Sequence, residues 1–299
     1  MNLHFKKVAQ ICIIRKNIVP LLQNLYDMRL RILRSICVVC FLSLPFVVSA
    51  TQKESLFSWS ANATLTSNYI WRGLYCGGPS LQMDATVSYA GVFANMWWNV
   101  GATDWTFTKF NPEVDISIGF SRWGLSVYYI HCFYFDQYPD GSPSKFFDFR
   151  NHPKGGGGAT GEWRVGYRVS DKLPLSVLVG VRTFSRDGYM LNDQLKRAYS
   201  TYIELGYDFA LGENWQLDAR LGMTPAKSLY TGFKGDFAIA MVGLKLHKTW
   251  AFEHCSVKGF ANVMLRPWQL TKENLILPIA QAGNQRLNMA VGCSVSVGK

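Results

Sequence analysis

Trp215-Gln216-Leu217-Asp218-Ala219-Arg220-Leu221-Gly222-Met223 sets Trp, Leu, Ala, Leu and Met on alternate positions, with Gln, Asp, Arg and Gly between them. A period of two sends alternate side chains to opposite faces of a β-strand, so this stretch reads as a strand with one apolar and one polar face. The pattern recurs in both directions. In 199–209, Tyr199, Thr201, Ile203, Leu205, Tyr207 and Phe209 oppose Ser200, Tyr202, Glu204, Gly206 and Asp208. In 287–297, Leu287, Met289, Val291, Cys293, Val295 and Val297 oppose Asn288, Ala290, Gly292, Ser294 and Ser296. The stretches 81–89, 114–121 and 162–169 repeat it.

About twelve such segments follow, each near the roughly 10 residues that a tilted spanning strand needs. They are 57–72, 80–89, 92–101, 113–122, 125–134, 160–169, 174–184, 197–210, 214–224, 236–248, 253–265 and 287–298. Beyond residue 50 no apolar run approaches the ~18 residues of a transmembrane helix. The expected fold is therefore all-β: a transmembrane antiparallel up-and-down barrel of about 12 strands, with 10 or 14 as alternatives. A soluble barrel or sandwich shares the alternation and stays open on pattern alone.

Connector lengths favour the membrane barrel. Every second connector is short: 90–91, 123–124, 170–172, 211–213 and the region of Trp250. The others, 102–112, 135–159, 185–196, 225–235 and 266–286, are long, and only the one around Cys76-Gly77-Gly78-Pro79 is brief. Outer-membrane barrels pair short periplasmic turns with long outer loops. Trp59, Tyr89, Trp123, Tyr167, Phe209, Trp215 and Trp250 fall at the expected periplasmic strand ends. Tyr69, Trp71, Trp163 and Tyr199 fall at the outer ends. Two aromatic girdles result.

Residues 28–50 read as a secretory signal: Arg29, Arg31 and Arg34, an apolar run over 36–48, then Val48-Ser49-Ala50 as a cleavage site. Residues 1–27 read as an upstream extension and 51–299 as the barrel. Part of the net charge of +11 lies in residues 1–50, which hold seven basic residues and one acid; beyond residue 50 stand 24 basic and 19 acidic residues, a balance of +5. No basic run or nucleic-acid motif accompanies it, so no nucleic-acid partner is expected. The expected partners are outer-membrane lipid, the barrel-insertion machinery and small polar solutes.

Ser67-Asn68-Tyr69-Ile70-Trp71-Arg72-Gly73 resembles the Ser-Asp-Tyr-aromatic-Arg-Gly signature of the TorF-like porins, a family of small bacterial outer-membrane barrels. The likeness continues through Gln82, Tyr89, the run 91–97, Glu113-Val114-Asp115 with Gly119, and the aromatic run 128–134. It covers roughly the first third of the mature chain. Asn68 stands where the family usually has Asp, and Leu74-Tyr75-Cys76 replaces the usual polar residues. The resemblance implies a membrane barrel and adds little chemistry.

The inward register assigns Asp84, Asp115, Glu162, Arg164, Arg168, Arg182, Glu204, Asp208, Asp218, Arg220 and Lys258 to the lumen. A charged lumen holds water and selects solutes by sign; the same charges can instead pair and plug it. Arg72 is placed at the outer mouth, as an anion attractor or as half of a structural ion pair. The expected function is passive diffusion of small polar solutes, without catalysis. The rivals are a lipid-acting barrel enzyme and a plugged barrel with a surface-interaction role. No Ser/His spacing marks a nucleophile and base among His131, His152, His247 and His254. Cys76, Cys132, Cys255 and Cys293 lack a metal-binding spacing and leave any disulfide pairing open. Neither metal nor cofactor is expected. Gly155–Gly158 lacks the Lys-Ser/Thr of a phosphate loop, and Asn62-Ala63-Thr64 lies inside a strand.

Overall fold

A computed structural model describes residues 56–135, 142–149, 158–184, 187–191, 194–233, 235, 237–267 and 285–298. The leader, the extension 1–27, His152 and most of the glycine run lie outside them.

Sixteen strands are present among the described residues. The first five are β1 (Phe57–Thr66), β2 (Tyr69–Trp71), β3 (Leu74–Gly77), β4 (Ser80–Tyr89) and β5 (Val92–Gly101). Next come β6 (Glu113–Arg122), β7 (Leu125–Tyr134), β8 (Ala159–Arg168), β9 (Leu175–Phe184), β10 (Gly188–Leu191) and β11 (Gln194–Arg197). The chain ends with β12 (Thr201–Ala210), β13 (Trp215–Thr224), β14 (Ala238–Ala251), β15 (Ser256–Leu265) and β16 (Leu287–Gly298). Twelve of them, β1, β4–β9 and β12–β16, close into one antiparallel barrel. β1 pairs with β16, Ser60 opposite Gly298 and Thr66 opposite Gly292, so no barrel edge is left unpaired.

All twelve period-two segments become barrel strands. The first differs at its end. It was expected to run to residue 72, yet β1 stops at Thr66. Ser67 N–H donates to Val291 O at 2.8 Å and Asn68 Nδ2 to Met289 O at 2.7 Å, which completes the contact with β16. The chain then leaves the wall as the β2–β3 hairpin, Trp71 opposite Leu74. Arg72 (φ 49°) and Gly73 (φ 77°) form its two-residue turn. Positive φ at both positions is the turn whose twist matches paired strands, and an X-Gly pair is its usual sequence. β10 and β11 make a second hairpin in the connector after β9.

The outer face stays apolar. Leu65, Val87, Ile118, Leu205, Leu244 and Val291 are among the side chains that remain exposed on alternate positions. Trp59, Tyr89, Trp123, Phe209, Trp215 and Trp250 are exposed at the short-turn end, and Trp163 and Tyr199 toward the other. Tyr69 and Trp71 depart from this second girdle. They belong to the hairpin and lie inside, where Trp71 packs beside a cluster of Leu74, Tyr202, Leu229, Tyr230, Ala240 and Met241. The apolar core is thus not the strand face that repeats through the sequence. The largest of three buried apolar clusters among the described residues is the contact between the inner hairpin, β12, β14 and a 3-10 turn, Leu229–Thr231, from the connector after β13.

Candidate functional site

The inner face of β4–β8 is built in layers by strand register. Asp84, Trp97, Asp115, Cys132 and Thr160 are successive partners across the wall. One step toward the short turns come Thr86, Asn95, Ser117, Ile130 and Glu162; the next step is Ser88, Phe93, Gly119, Tyr128 and Arg164. Hydroxyls and amides alternate with rings along this half of the lumen. Phe93 and Tyr128 meet edge to face at 5.7 Å across the space that Gly119 leaves, and Trp97 meets Tyr69 of the hairpin at 5.6 Å.

The inner hairpin is anchored on several walls. Arg72 Nη2 donates to Glu162 Oε1 at 2.6 Å and Nη1 to Glu162 Oε2 at 2.9 Å, a two-pronged pair on β8. Nη1 also donates to the Tyr230 hydroxyl at 2.5 Å, and the guanidinium carbon lies 4.1 Å from the centre of the Tyr202 ring on β12. Tyr69 donates to Glu113 Oε2 on β6 at 3.0 Å, and Asn288 Nδ2 on β16 donates to Gly73 O at 2.9 Å. Arg72 was placed at the outer mouth by the sequence; it is 8% exposed and lies within the barrel. The cause is the Arg72-Gly73 turn, which folds the end of the expected first strand back into the lumen.

The other charged side chains sort into groups. Glu162 also accepts from Arg164 Nε at 2.6 Å. Arg182 Nη2 donates to Thr160 Oγ1 at 2.5 Å. Asp208 takes Arg168 at 2.5 Å and Arg220 at 2.6 Å, and Arg220 lies 3.8 Å from Glu204. Glu204 accepts from the Tyr202 hydroxyl at 2.8 Å. Asp218 accepts from Gln216 at 2.5 Å and lies 3.5 Å from His247 Nδ1. Asp115 sits with Glu113 and Cys132 in a close cluster on β6 and β7. Asp84 and Lys258, half-buried, make no ion pair among the described residues. Among the described residues the ion pairs thus gather on β8, β12 and β13, while the polar-aromatic wall of β4–β7 carries few charges.

Two cavities lie on that polar-aromatic side. The larger, about 650 Å³, reaches from Gly91, Ser121 and Ser126 at the short-turn end to Tyr69 and Trp71 of the hairpin. The smaller, about 30 Å³, is lined by Cys76, Asn111, Glu113, Cys132, Tyr134 and Arg182. Tyr69, Trp71, Asp115 and Arg164 line both. These four side chains are common to both cavities. Inward register in the sequence assigns Asp115 and Arg164 to this face. Tyr69, Trp71, Trp97 and Tyr128 join them in the cavity lining, and Tyr202 and Tyr230 pack in the cluster beside the hairpin, without an inward charge to mark them in the sequence. The Arg-Gly pair was the signal that a turn interrupts the segment.

Outside the barrel strands, burial pushes the Asp187 carboxyl up, against the pull of Arg182 and of the Ser200 N–H that donates to it at 2.8 Å. Burial lowers Arg266, just past β15, to about 10.

The histidines carry no nucleophile pairing among the described residues. His131 Nε2 lies 2.9 Å from Phe146 O, with rings of Phe146, Phe147, Phe149 and Phe184 around it. His247 faces Asp218, and His254 is exposed beside Glu253. Cys76, Cys132, Cys255 and Cys293 are free thiols.

No known family matches the chain, and no curated protein matches it. Solved structures similar to it include the NanC porin, with a TM-score of 0.43 and 9% identity, over 80% of this chain and 98% of that one. The KdgM porin gives a TM-score of 0.38 and 9% identity, over 80% and 98%. The outer membrane phospholipase A from Escherichia coli gives 0.36 and 13%, over 80% and 92%. At these scores the likeness carries no argument about activity, and the closed twelve-stranded antiparallel barrel rests on the chain's own strand pairing.

Proposed function

We propose that this chain is an outer-membrane barrel that passes small polar solutes along an off-centre path beside β4–β8. The membrane setting is supported by the apolar outer face and the aromatics at both ends. The short-turn end, which carries both barrel termini, is then periplasmic. The channel reading rests on one observation above all: Tyr69, Trp71, Asp115 and Arg164 line both cavities of the β4–β8 wall. A twelve-stranded lumen is narrow, and its own hairpin enters it, so we take the cavities along this wall as the path.

The eleven lumen charges would set the sign preference of that path. The opposed pair common to both cavities, Asp115 and Arg164, stands where sign matters most, because field and desolvation both grow as a passage narrows. Membership among the TorF-like porins is part of the same proposal and is supported by residues 67–73, which supply the hairpin.

A second reading, a plugged barrel with a surface role, is favoured by the hairpin's ion pair. Planar-bilayer recording from folded protein separates the two. Discrete conductance steps support the channel. A silent parent whose Arg72→Ala variant is equally silent sinks it.

A further inference from the structure

We infer that the 650 Å³ cavity at the short-turn end is a binding site for a neutral sugar ring of one or two residues. The inference deepens the channel reading, since it names the solute class and relies on the lumen for access. The volume falls in the range of small-molecule sites, roughly 300–1,000 Å³.

The lining has two parts. Phe93, Trp97 and Tyr128 present rings from the wall, and Tyr69 and Trp71 roof the cavity from the hairpin. Thr86, Ser88, Asn95, Ser117, Ser121 and Ser126 supply hydroxyls and an amide between those rings. Each hydroxyl both donates and accepts, and the amide does both through separate atoms. A pyranose matches this division. Its C–H face packs on an aromatic ring, and its hydroxyl rim exchanges hydrogen bonds in either direction.

Other solute classes fit worse. An apolar solute would strip water from the hydroxyl and amide side chains without replacing their hydrogen bonds. An ion meets no surplus of charge. Asp115 and Arg164 are the charged groups of the lining, they oppose each other, and Arg164 is already 2.6 Å from Glu162. An acyclic polyol offers hydroxyls but no rigid face for the rings.

Calorimetric titration in amine-oxide detergent micelles, which contain no sugar, tests the site apart from conductance. Folded barrel is titrated with glucose, maltose, arabinitol and uridine. Saturable binding of glucose or maltose, with arabinitol at least tenfold weaker, is the expected result. Tyr128→Leu and Ser117→Ala should each weaken binding roughly fivefold to tenfold, the scale of one lost contact. The outer-face variant Val87→Leu should bind as the parent does. Heat-dependent gel mobility identifies folded variants.

The inference is overturned if neither sugar binds, if arabinitol or uridine binds as tightly, or if both inner-face variants fold and bind unchanged. Sugar binding without ion current would overturn the channel and leave the site. Ion current without sugar binding would do the reverse.

Discussion

Arg72 and Glu162, ninety residues apart in sequence, form a forked ion pair within the barrel, with oxygens at 2.6 and 2.9 Å from the two terminal guanidinium nitrogens. Both side chains are nearly sealed from solvent. Through this pair the tip of the β2–β3 hairpin is tied to the wall opposite the strand it leaves. Cutting one member of a buried pair costs about 3–5 kcal/mol where the other is left unpaired; the cost of losing Arg72 is smaller, because Glu162 keeps Arg164 Nε at 2.6 Å. Arg72→Ala should therefore undock the hairpin and raise single-channel conductance, while barrel strand content by circular dichroism is unchanged. Glu162→Met, which strands Arg72 and Arg164 together, should destabilise the barrel more than Arg72→Met.

Gly73 closes the same turn at φ 77°, and a Cβ placed there would meet Cγ of Arg266 and Cγ of Met241, each at 2.9 Å. Left-handed backbone alone costs a non-glycine residue about 1–2 kcal/mol. Gly73→Ala should mimic the opened state of Arg72→Ala in conductance. An unchanged current in both variants would mean that the hairpin does not control the path.

Arg164 and Arg168 are both inner-face cations on β8 with different settings. Arg164 lines both cavities, whereas Arg168 shares Asp208 with Arg220. Arg164→Gln should move the reversal potential in a salt gradient toward cation preference. Arg168→Gln should move it less, because Arg220 still faces Asp208. Equal shifts would argue against a path past Arg164.

Leu244, half exposed in the middle of β14, tests what surrounds the barrel. A lipid-facing Arg near the bilayer midplane costs about 2–4 kcal/mol. The same change on a water-facing surface stays within about 0.5 kcal/mol. Leu244→Arg should lower the denaturant midpoint of barrel refolded in lipid vesicles. A midpoint equal to that of the parent would return the barrel to water.

Asp187 gives a pH-dependent prediction. Its carboxyl is raised by burial, so the folded chain holds a proton that the unfolded chain releases. Stability from this group is present at low pH and falls as pH climbs from the ordinary carboxylate range through the raised value. Asp187→Asn keeps an oxygen for the Ser200 N–H and removes the charge. The variant should melt above the parent at pH 7, and the gap should narrow toward pH 4. A gap that is constant with pH would show that Asp187 does not titrate there.

Much of the barrel was legible in the sequence because its determinants are local. Alternation such as Trp215 to Met223 decides strand and face residue by residue, and short turns such as Ala90-Gly91 and Trp123-Gly124 set which strands pair. All twelve wall strands follow from those two signals. Inward register likewise put Asp115, Glu162 and Arg164 on one face. What alternation cannot carry is a change of direction within a pattern that continues. Tyr69 and Trp71 still alternate, so they read as the end of β1, yet the Arg72-Gly73 turn folds them into the lumen. The partners that hold them there, Glu113, Glu162, Tyr202, Tyr230 and Asn288, come from five other parts of the chain. Only closure of the barrel brings these together. The sequence by itself determined the wall and its two faces, through period-two alternation that each strand carries locally. The tertiary structure decided what fills the lumen, because filling depends on contacts between residues that are neighbours only once β1 has met β16.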